Sequence, residues 1–400
     1  MSLLSVDEAL SRILDGVSPT GTETIPIQSA LRRTLAEPVL SQRTQPPFDT
    51  SAMDGYAVRA EDVTILPKAL KLVGRSVAGK RFEGVIGSAE ATRIFTGAPL
   101  PEGADTIIIQ ENTRETGGTV EVLEGSTDRG QFVRRRGLDF GAGQQLLSEG
   151  AILLPRHIAV AAAGNNGSIV VRRKPRVAIL STGDELVPPG HAPGIDQIVA
   201  SNGVAIAALV NAAGGEAVDI GIVRDTTEAL HSALDRVFEE EPDVLITSGG
   251  ASVGEHDLVQ GVMTERGLEL GFWRIAMRPG KPLMFGRLDH MRFIGLPGNP
   301  VSSLVCSRLF LWPLLKALLG HEPERQMEEA RLAAPLPAND RRQDYMRGVF
   351  TDSGHTVTPF DKQDSSMLST LAKADCLIIR PPHAPPAAAG ESVPVLRLDF

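Results

Sequence analysis

The run Thr247-Ser248-Gly249-Gly250-Ala251-Ser252-Val253-Gly254-Glu255-His256-Asp257 brings together the residue types that phosphate chemistry needs. It follows an apolar stretch, Asp243-Val244-Leu245-Ile246, that reads as a buried strand. Glycines at a strand end let backbone N–H groups come close to an anion, and serines add hydroxyl donors. Glu255 and Asp257 stand where a phosphate site needs a metal holder. The combination suggests metal-assisted phosphoryl or nucleotidyl chemistry. A tight turn with a solvated acidic end is the plainer alternative.

Two more segments share this position. Ser181-Thr182-Gly183-Asp184-Glu185-Leu186 follows an expected strand at 177–180, and Gly295-Leu296-Pro297-Gly298-Asn299-Pro300 follows one at 292–294. All three loops lie at the carboxyl ends of expected parallel strands, the edge where open α/β sheets bind ligands. In Met277-Arg278-Pro279-Gly280-Lys281-Pro282, Arg278 suits bidentate oxyanion contact and Lys281 supplies a point charge. A solvated hairpin turn is the plainer alternative for that stretch. A β-rich region contributes Ser51-Ala52-Met53-Asp54-Gly55-Tyr56-Ala57-Val58, Thr96-Gly97-Ala98-Pro99-Leu100-Pro101 and Arg134-Arg135-Arg136-Gly137-Leu138-Asp139. Composition alone makes these a turn, a hairpin and a charged surface run. One apparent motif fails. Gly74 to Lys80 has P-loop spacing, but Arg81 stands where a hydroxyl is required, and no helix start follows.

The elements that must position these loops follow from periodicity. Strands are expected at 176–180, 216–222, 244–247 and 293–296, with helices at 201–213, 227–239 and 301–319. Strands alternating with helices imply βαβ units and a parallel sheet. Ser5 caps an expected helix at 5–15, with Glu8 three residues on. A second short helix is expected at 27–35. Residues 42–140 read as β-rich, and those after 324 as a small β-domain.

Composition narrows the function. The 400 residues suggest several domains, and the net charge of −9 argues against a nucleic-acid or anionic-membrane surface. Cys306 and Cys376 read as small buried hydrophobes rather than a disulfide or zinc site. No apolar stretch of about 18 residues is apparent, and the amino terminus lacks a basic leader, so a cytoplasmic protein is expected.

The ordered segments SAMDGYAV (51–58), FTGAPLPEGAD (95–105), RRRGLDF (134–140), STGDEL (181–186), TSGGASVGEHD (247–257), RPGKP (278–282) and GLPGNP (295–300) resemble the molybdopterin molybdenumtransferases, the MoeA family. That family includes the E domains of gephyrin and of the plant molybdenum-insertase. The resemblance implies a multidomain α/β plus β fold in an elongated homodimer. A three-layer α/β domain with a mostly parallel sheet would comprise residues 1–20 and 174–322. A linking domain would take 21–42 and 139–173, a β-rich domain 43–138, and a C-terminal β-barrel 325–400. It implies metal-dependent hydrolysis of adenylylated molybdopterin, insertion of molybdate into the dithiolene and release of AMP and molybdenum cofactor. The metal expected is Mg2+.

By the same resemblance, Asp257 and Glu185 would hold the metal, with Asp54 and Asp139 as further catalytic acids. Ser248, Gly249, Gly250 and Ser252 would hold the pterin phosphate. Arg278, Lys281 and Arg347 would attract molybdate and phosphate, and Thr96, Pro297 and Pro300 would complete the binding residues. Transient contact with molybdopterin adenylyltransferase is an implied partnership. The segment Arg278-Pro279-Gly280-Lys281-Pro282 departs from the expected pattern, with arginine where lysine is usual. The match at 363–369 is loose. A non-catalytic scaffold would have lost the cleft acids, and an adenylyltransferase would be a lone α/β domain of under about 200 residues.

Overall fold

In the computed structural model, residues 3–125, 128–249, 258–323 and 327–398 are described. The chain forms two units. One comprises Met1–Glu23 with Arg172–Phe400, and the other Thr24–Val171.

The first unit opens with α1 (Val6–Leu14), capped as expected by Ser5 Oγ, which accepts from Glu8 N at 3.2 Å. Then follow β1 (Arg176–Thr182), α2 (Asn202–Ala213), β2 (Glu216–Val223), α3 (Thr227–Glu239), β3 (Val244–Ser248), α4 (Leu258–Glu265), β4 (Glu269–Arg274), β5 (Pro282–Leu288), β6 (Met291–Leu296) and the long α5 (Pro300–Leu318). The strands form one sheet in the order β2-β1-β3-β6-β5-β4. The first four run parallel, and β5 and β4 close the edge antiparallel.

Alternation along the strands divides the core. Val177, Ile179, Val244 and Ile246 pack with α1, α2 and α5 on one face. Ala178, Leu180 and Leu245 pack with α3 and α4 on the other. Strands covered on both faces are apolar throughout, which is why these runs were legible. Two-residue Met277–Arg278 pairs not with this sheet but with β8 (Gln343–Thr351), Met277 opposite Gln343.

Helix α5 contains Pro313, which lacks an N–H and would clash with the carbonyl four residues back in a regular α-helix. The turn before it, Ser307–Leu311, is a π-helix, whose wider winding accommodates the proline. Among the described residues, α5 alone is long and apolar enough to cross a membrane, and most of it is buried inside the structure. Cys306 lies within it, fully buried, and Cys376 is also a buried free thiol.

With β8, β7 (Met327–Leu332), β9 (Thr356–Pro359), β10 (Cys376–Arg380) and β11 (Ser392–Arg397) form a closed barrel. β8 pairs with β9 and β10, β10 with β11, β11 with β7, and β7 with β9.

In the second unit, a six-stranded sheet runs over Gly55–Val58, Lys68–Ser76, Glu90–Ile94, Thr106–Ile109, Thr113–Thr116 and Thr119–Val122. The rejected P-loop is the end of one of these strands and a tight turn, with Val77 and Lys80 exchanging backbone hydrogen bonds. A separate apolar cluster gathers Ile25, Leu35, Val39, Leu153 and Val171. The helix expected at 27–35 is only a short 3-10 turn, Ile27–Ser29. Leu35 there donates to Ala151 O and pairs with Val171, so tertiary strand contacts outweigh a weak local pattern.

Phe310 is fully buried in α5. Phe310→Ala is expected to destabilise the first unit by about 3–5 kcal/mol, read as a lowered midpoint in urea unfolding.

Candidate active site

The sheet order places the chain's change of direction between β1 and β3: from β1 the chain moves outward to β2, then returns to the other side as β3. Loops leaving the carboxyl ends of such neighbours diverge and leave a crevice. Here it is a cleft of about 660 Å³, lined among others by Thr182, Glu185, Asn202, Ser248, Gly249 and Pro297. All three loops singled out in the sequence contribute to it, and Pro300 lines it too.

Close backbone approach sets its floor. Gly249 has φ +101°, and a Cβ there would overlap the Thr182 carbonyl oxygen. The residue must therefore be glycine for the two strand ends to sit side by side. Gly203, in the first turn of α2, would place a Cβ 3.0 Å from Ser181 Oγ, so the helix amino terminus is drawn against the end of β1. Its free N–H groups and dipole favour an anion. The hydroxyls of Thr182 and Thr247 are buried with no hydrogen-bond partner among the described residues. A polar atom buried without a partner costs free energy unless a ligand or water meets it.

Asn202 ties the loops together. Its Nδ2 donates to Ser248 Oγ and to the Gly298 carbonyl, both at 2.9 Å. The fourth wall comes from the barrel. Asn299 Nδ2 donates to Ser365 Oγ at 3.0 Å, Val301 N to Ser365 O at 3.1 Å, and Ser366 lines the cleft.

Three family models cover the chain: the MoeA N-terminal region (domain I and II) at residues 4–164, a probable molybdopterin binding domain at 178–317, and the MoeA C-terminal region (domain IV) at 329–398. A molybdopterin molybdenumtransferase from Haemophilus influenzae is 35% identical over 98% of both chains. One from Bacillus subtilis is 31% identical over 98% of this chain and 94% of its own. The crystal structure of the molybdopterin biosynthesis MoeA protein from Pyrococcus horikosii superposes with a TM-score of 0.85, at 32% identity and full coverage of both chains. This chain belongs to the molybdopterin molybdenumtransferase family.

Of the residues that the family resemblance nominated, Glu185, Ser248, Gly249, Pro297 and Pro300 line one cleft. Gly250, Ser252 and Asp257 lie outside the described residues. Arg347 is placed differently from expectation. It is only 2% exposed, with Nε donating to Gln363 Oε1 at 3.0 Å and Nη1 to Asp364 O at 2.9 Å. It is a buried strut under the 362–364 turn and does not line the cleft. Lys281 lines a separate basic recess with Arg341, Arg342, His383 and Asp340. Arg278, half exposed, pairs with Asp344 and lies 3.7 Å from Asp340, and those carboxylates raise its pKa.

In the second unit, Asp54 accepts from Thr96 N at 2.7 Å and Thr96 Oγ1 at 2.8 Å, and these bonds hold its carboxyl below the usual range. Arg93 stacks between Tyr56 and Phe95, 4.8 and 5.2 Å from their centroids. Asp139 is exposed, its backbone N donating to Gln45 O at 3.0 Å.

The sequence reading missed Asp225, which follows β2. Burial, then the nearby charges of Asp184 and Glu185, raise its carboxyl pKa. A carboxyl whose folded pKa is raised contributes stability that is full below its unfolded pKa and is lost as pH rises through the folded value. In metal-free buffer, Asp225→Asn is therefore expected to raise the melting temperature at pH 7. The difference should shrink toward zero as the pH falls to about 4. An equal gap at both pH values in a thermal-melt series would refute a raised Asp225 pKa.

Proposed function

We propose that the chain is a molybdenum insertase: a transferase that hydrolyses adenylylated molybdopterin, releases AMP and inserts molybdate into the dithiolene to give molybdenum cofactor. The observation that carries this reading is the single cleft at the strand-order reversal. Hydroxyls, close-packed backbone, a helix amino terminus and a carboxylate converge there. Ser248 and Gly249, with Gly250 and Ser252, would take the pterin phosphate, and Pro297 and Pro300 would shape the wall. One ionic contact near a helix end is worth about 0.3–1 kcal/mol, so binding must rest on several such loops together.

The donor set fits Mg2+. Glu185 lines the cleft, and Asp184 and Asp225 are near enough for mutual repulsion, which a cation would relieve. Among the described residues, no three such side chains converge as a closed cage. Mg2+ asks for none, because it keeps several waters and needs only one or two carboxylates. Glu185 and Asp257 would hold it, and its role would be to neutralise charge developing on phosphate oxygens. Arg278 and Lys281 would draw oxyanions, while Asp54, Asp139 and Thr96 are proposed as further contributors to the reaction. Four domains with the boundaries given above are proposed, with apolar clusters of their own in the linking, β-rich and barrel parts in keeping with three of them. A cytoplasmic homodimer in transient contact with molybdopterin adenylyltransferase completes the proposal.

Purified protein with Mg2+, molybdate and adenylylated molybdopterin is expected to release AMP. Asp257→Ala should abolish that release while substrate binding survives. AMP release undiminished in the variant would remove Asp257 from its role, and none from the wild type would refute the insertase reading.

A further inference from the structure

Ser248 is the phosphate-facing hydroxyl of the proposed site, yet a hydroxyl can donate or accept, and only donation binds an anion. The geometry decides between the two. The Gly298 carbonyl can only accept, so the Asn202 atom facing it at 2.9 Å must be the amide nitrogen. The same nitrogen lies 2.9 Å from Ser248 Oγ, so it donates there as well. The serine oxygen is therefore an acceptor toward Asn202. Its hydrogen is left for a partner elsewhere, and Ser248 is 3% exposed with no acceptor for that hydrogen among the described residues. Both residues line the cleft. The adjoining Thr182 hydroxyl, 4% exposed and without a hydrogen-bond partner among the described residues, belongs to a residue that lines it too, so more than one hydroxyl there is open to a ligand.

We propose that Asn202 is a positioning residue for phosphate binding: by donating to Ser248 and anchoring on Gly298, it fixes the Ser248 hydroxyl as a donor toward a phosphate monoester. The inference rests on the insertase reading for the identity of the ligand. It goes beyond that reading in naming a residue that acts through another. A neutral amide is required. An aspartate of the same shape would accept from Ser248, turn its hydrogen away from the ligand and set a negative charge beside the phosphate.

The test measures the Kd of molybdopterin itself for the intact protein, with AMP release from the adenylylated form assayed in parallel. Asn202→Ala is expected to weaken molybdopterin binding about tenfold, the size of one hydrogen bond to a charged group. In the Asn202→Ala background, Ser248→Ala should add little further loss, because the hydroxyl is no longer directed. Asn202→Asp should bind more weakly than Asn202→Ala at pH 7. Its Kd relative to wild type at each pH should recover as the pH falls toward about 4, where the new carboxyl is protonated and can donate again. Taking the ratio to wild type cancels pH effects common to all the variants, those of the carboxyls Glu185, Asp184 and Asp225 around the cleft included.

Fully additive losses in the double variant, or an Asn202→Asp ratio that does not change with pH, would show that Asn202 merely ties loops together, and would overturn the proposal. Wild-type binding by both single variants would do the same. If the wild type binds molybdopterin but releases no AMP, the insertase reading fails while the Kd series still judges the relay. If Asn202→Ala does not fold, the Asn202→Asp pH profile decides by itself.

Discussion

The parallel pairing of β1 with β3 is the constraint on which the rest depends. Val177 faces Val244, Ile179 faces Ile246, and the ladder runs on to Ser181 opposite Ser248. A slip of β3 by one residue would turn its side chains to the other face, moving Val244 out of one apolar layer and Ser248 out of the cleft. The register that fills the core is thus the register that sets two hydroxyl-rich strand ends side by side. Gly249 then passes so close to the Thr182 carbonyl that a side chain has no room, which ties loop identity to strand register.

A protein with a net charge of −9 has no general attraction for anions. The cleft answers this with local donors: hydroxyls, close backbone and the amino terminus of α2. Cations stand apart from it among the described residues. Lys281 lines its own recess, Arg278 is engaged by Asp344, and Arg347 is buried under a turn. Fixed dipoles lose less to screening and need no mobile side chain to be ordered, so they suit a site that must also tolerate nearby carboxylates. Burial and the neighbouring charges of Asp184 and Glu185 disfavour the ionised form of Asp225. That places the demand for a cation beside the loops that favour an anion, the pairing that phosphate–metal chemistry requires.

Strands buried on both faces were legible in the sequence because their apolar runs are unbroken, as at 177–180 and 244–246. The three cleft loops were legible because glycine, serine and acid clusters stand at the ends of those runs. The antiparallel edge was not. β4 pairs with β5 through two register irregularities, so its pattern, with Leu270 exposed and Phe272 buried, never settles into clean alternation. Asn202 was noticed only as a helix start, since its partners lie 46 and 96 residues away. The burial of Arg347 and its bond to Gln363 were hidden for a related reason. Sequence shows a charge, but burial and partner geometry decide whether that charge meets a ligand.

Arg347 also explains why a barrel belongs to this unit at all. Burial lowers its pKa, yet a guanidinium remains charged at neutral pH, so the site must satisfy it. Gln363 does so reciprocally, accepting at Oε1 from Arg347 N and Nε and returning Nε2 to Arg347 O at 3.0 Å. The turn this fixes carries Ser365 and Ser366, and Ser365 holds the start of α5 through Asn299 and Val301. At the other end of the same strand, β8 pairs with Met277–Arg278. Besides the apolar core they share, the barrel thus holds the α/β part by hydrogen bonds on each side of the β5–β6 hairpin. A buried cation in the barrel sets the position of the loop after β6. The cleft's shape then depends on the barrel's core as much as on the sheet.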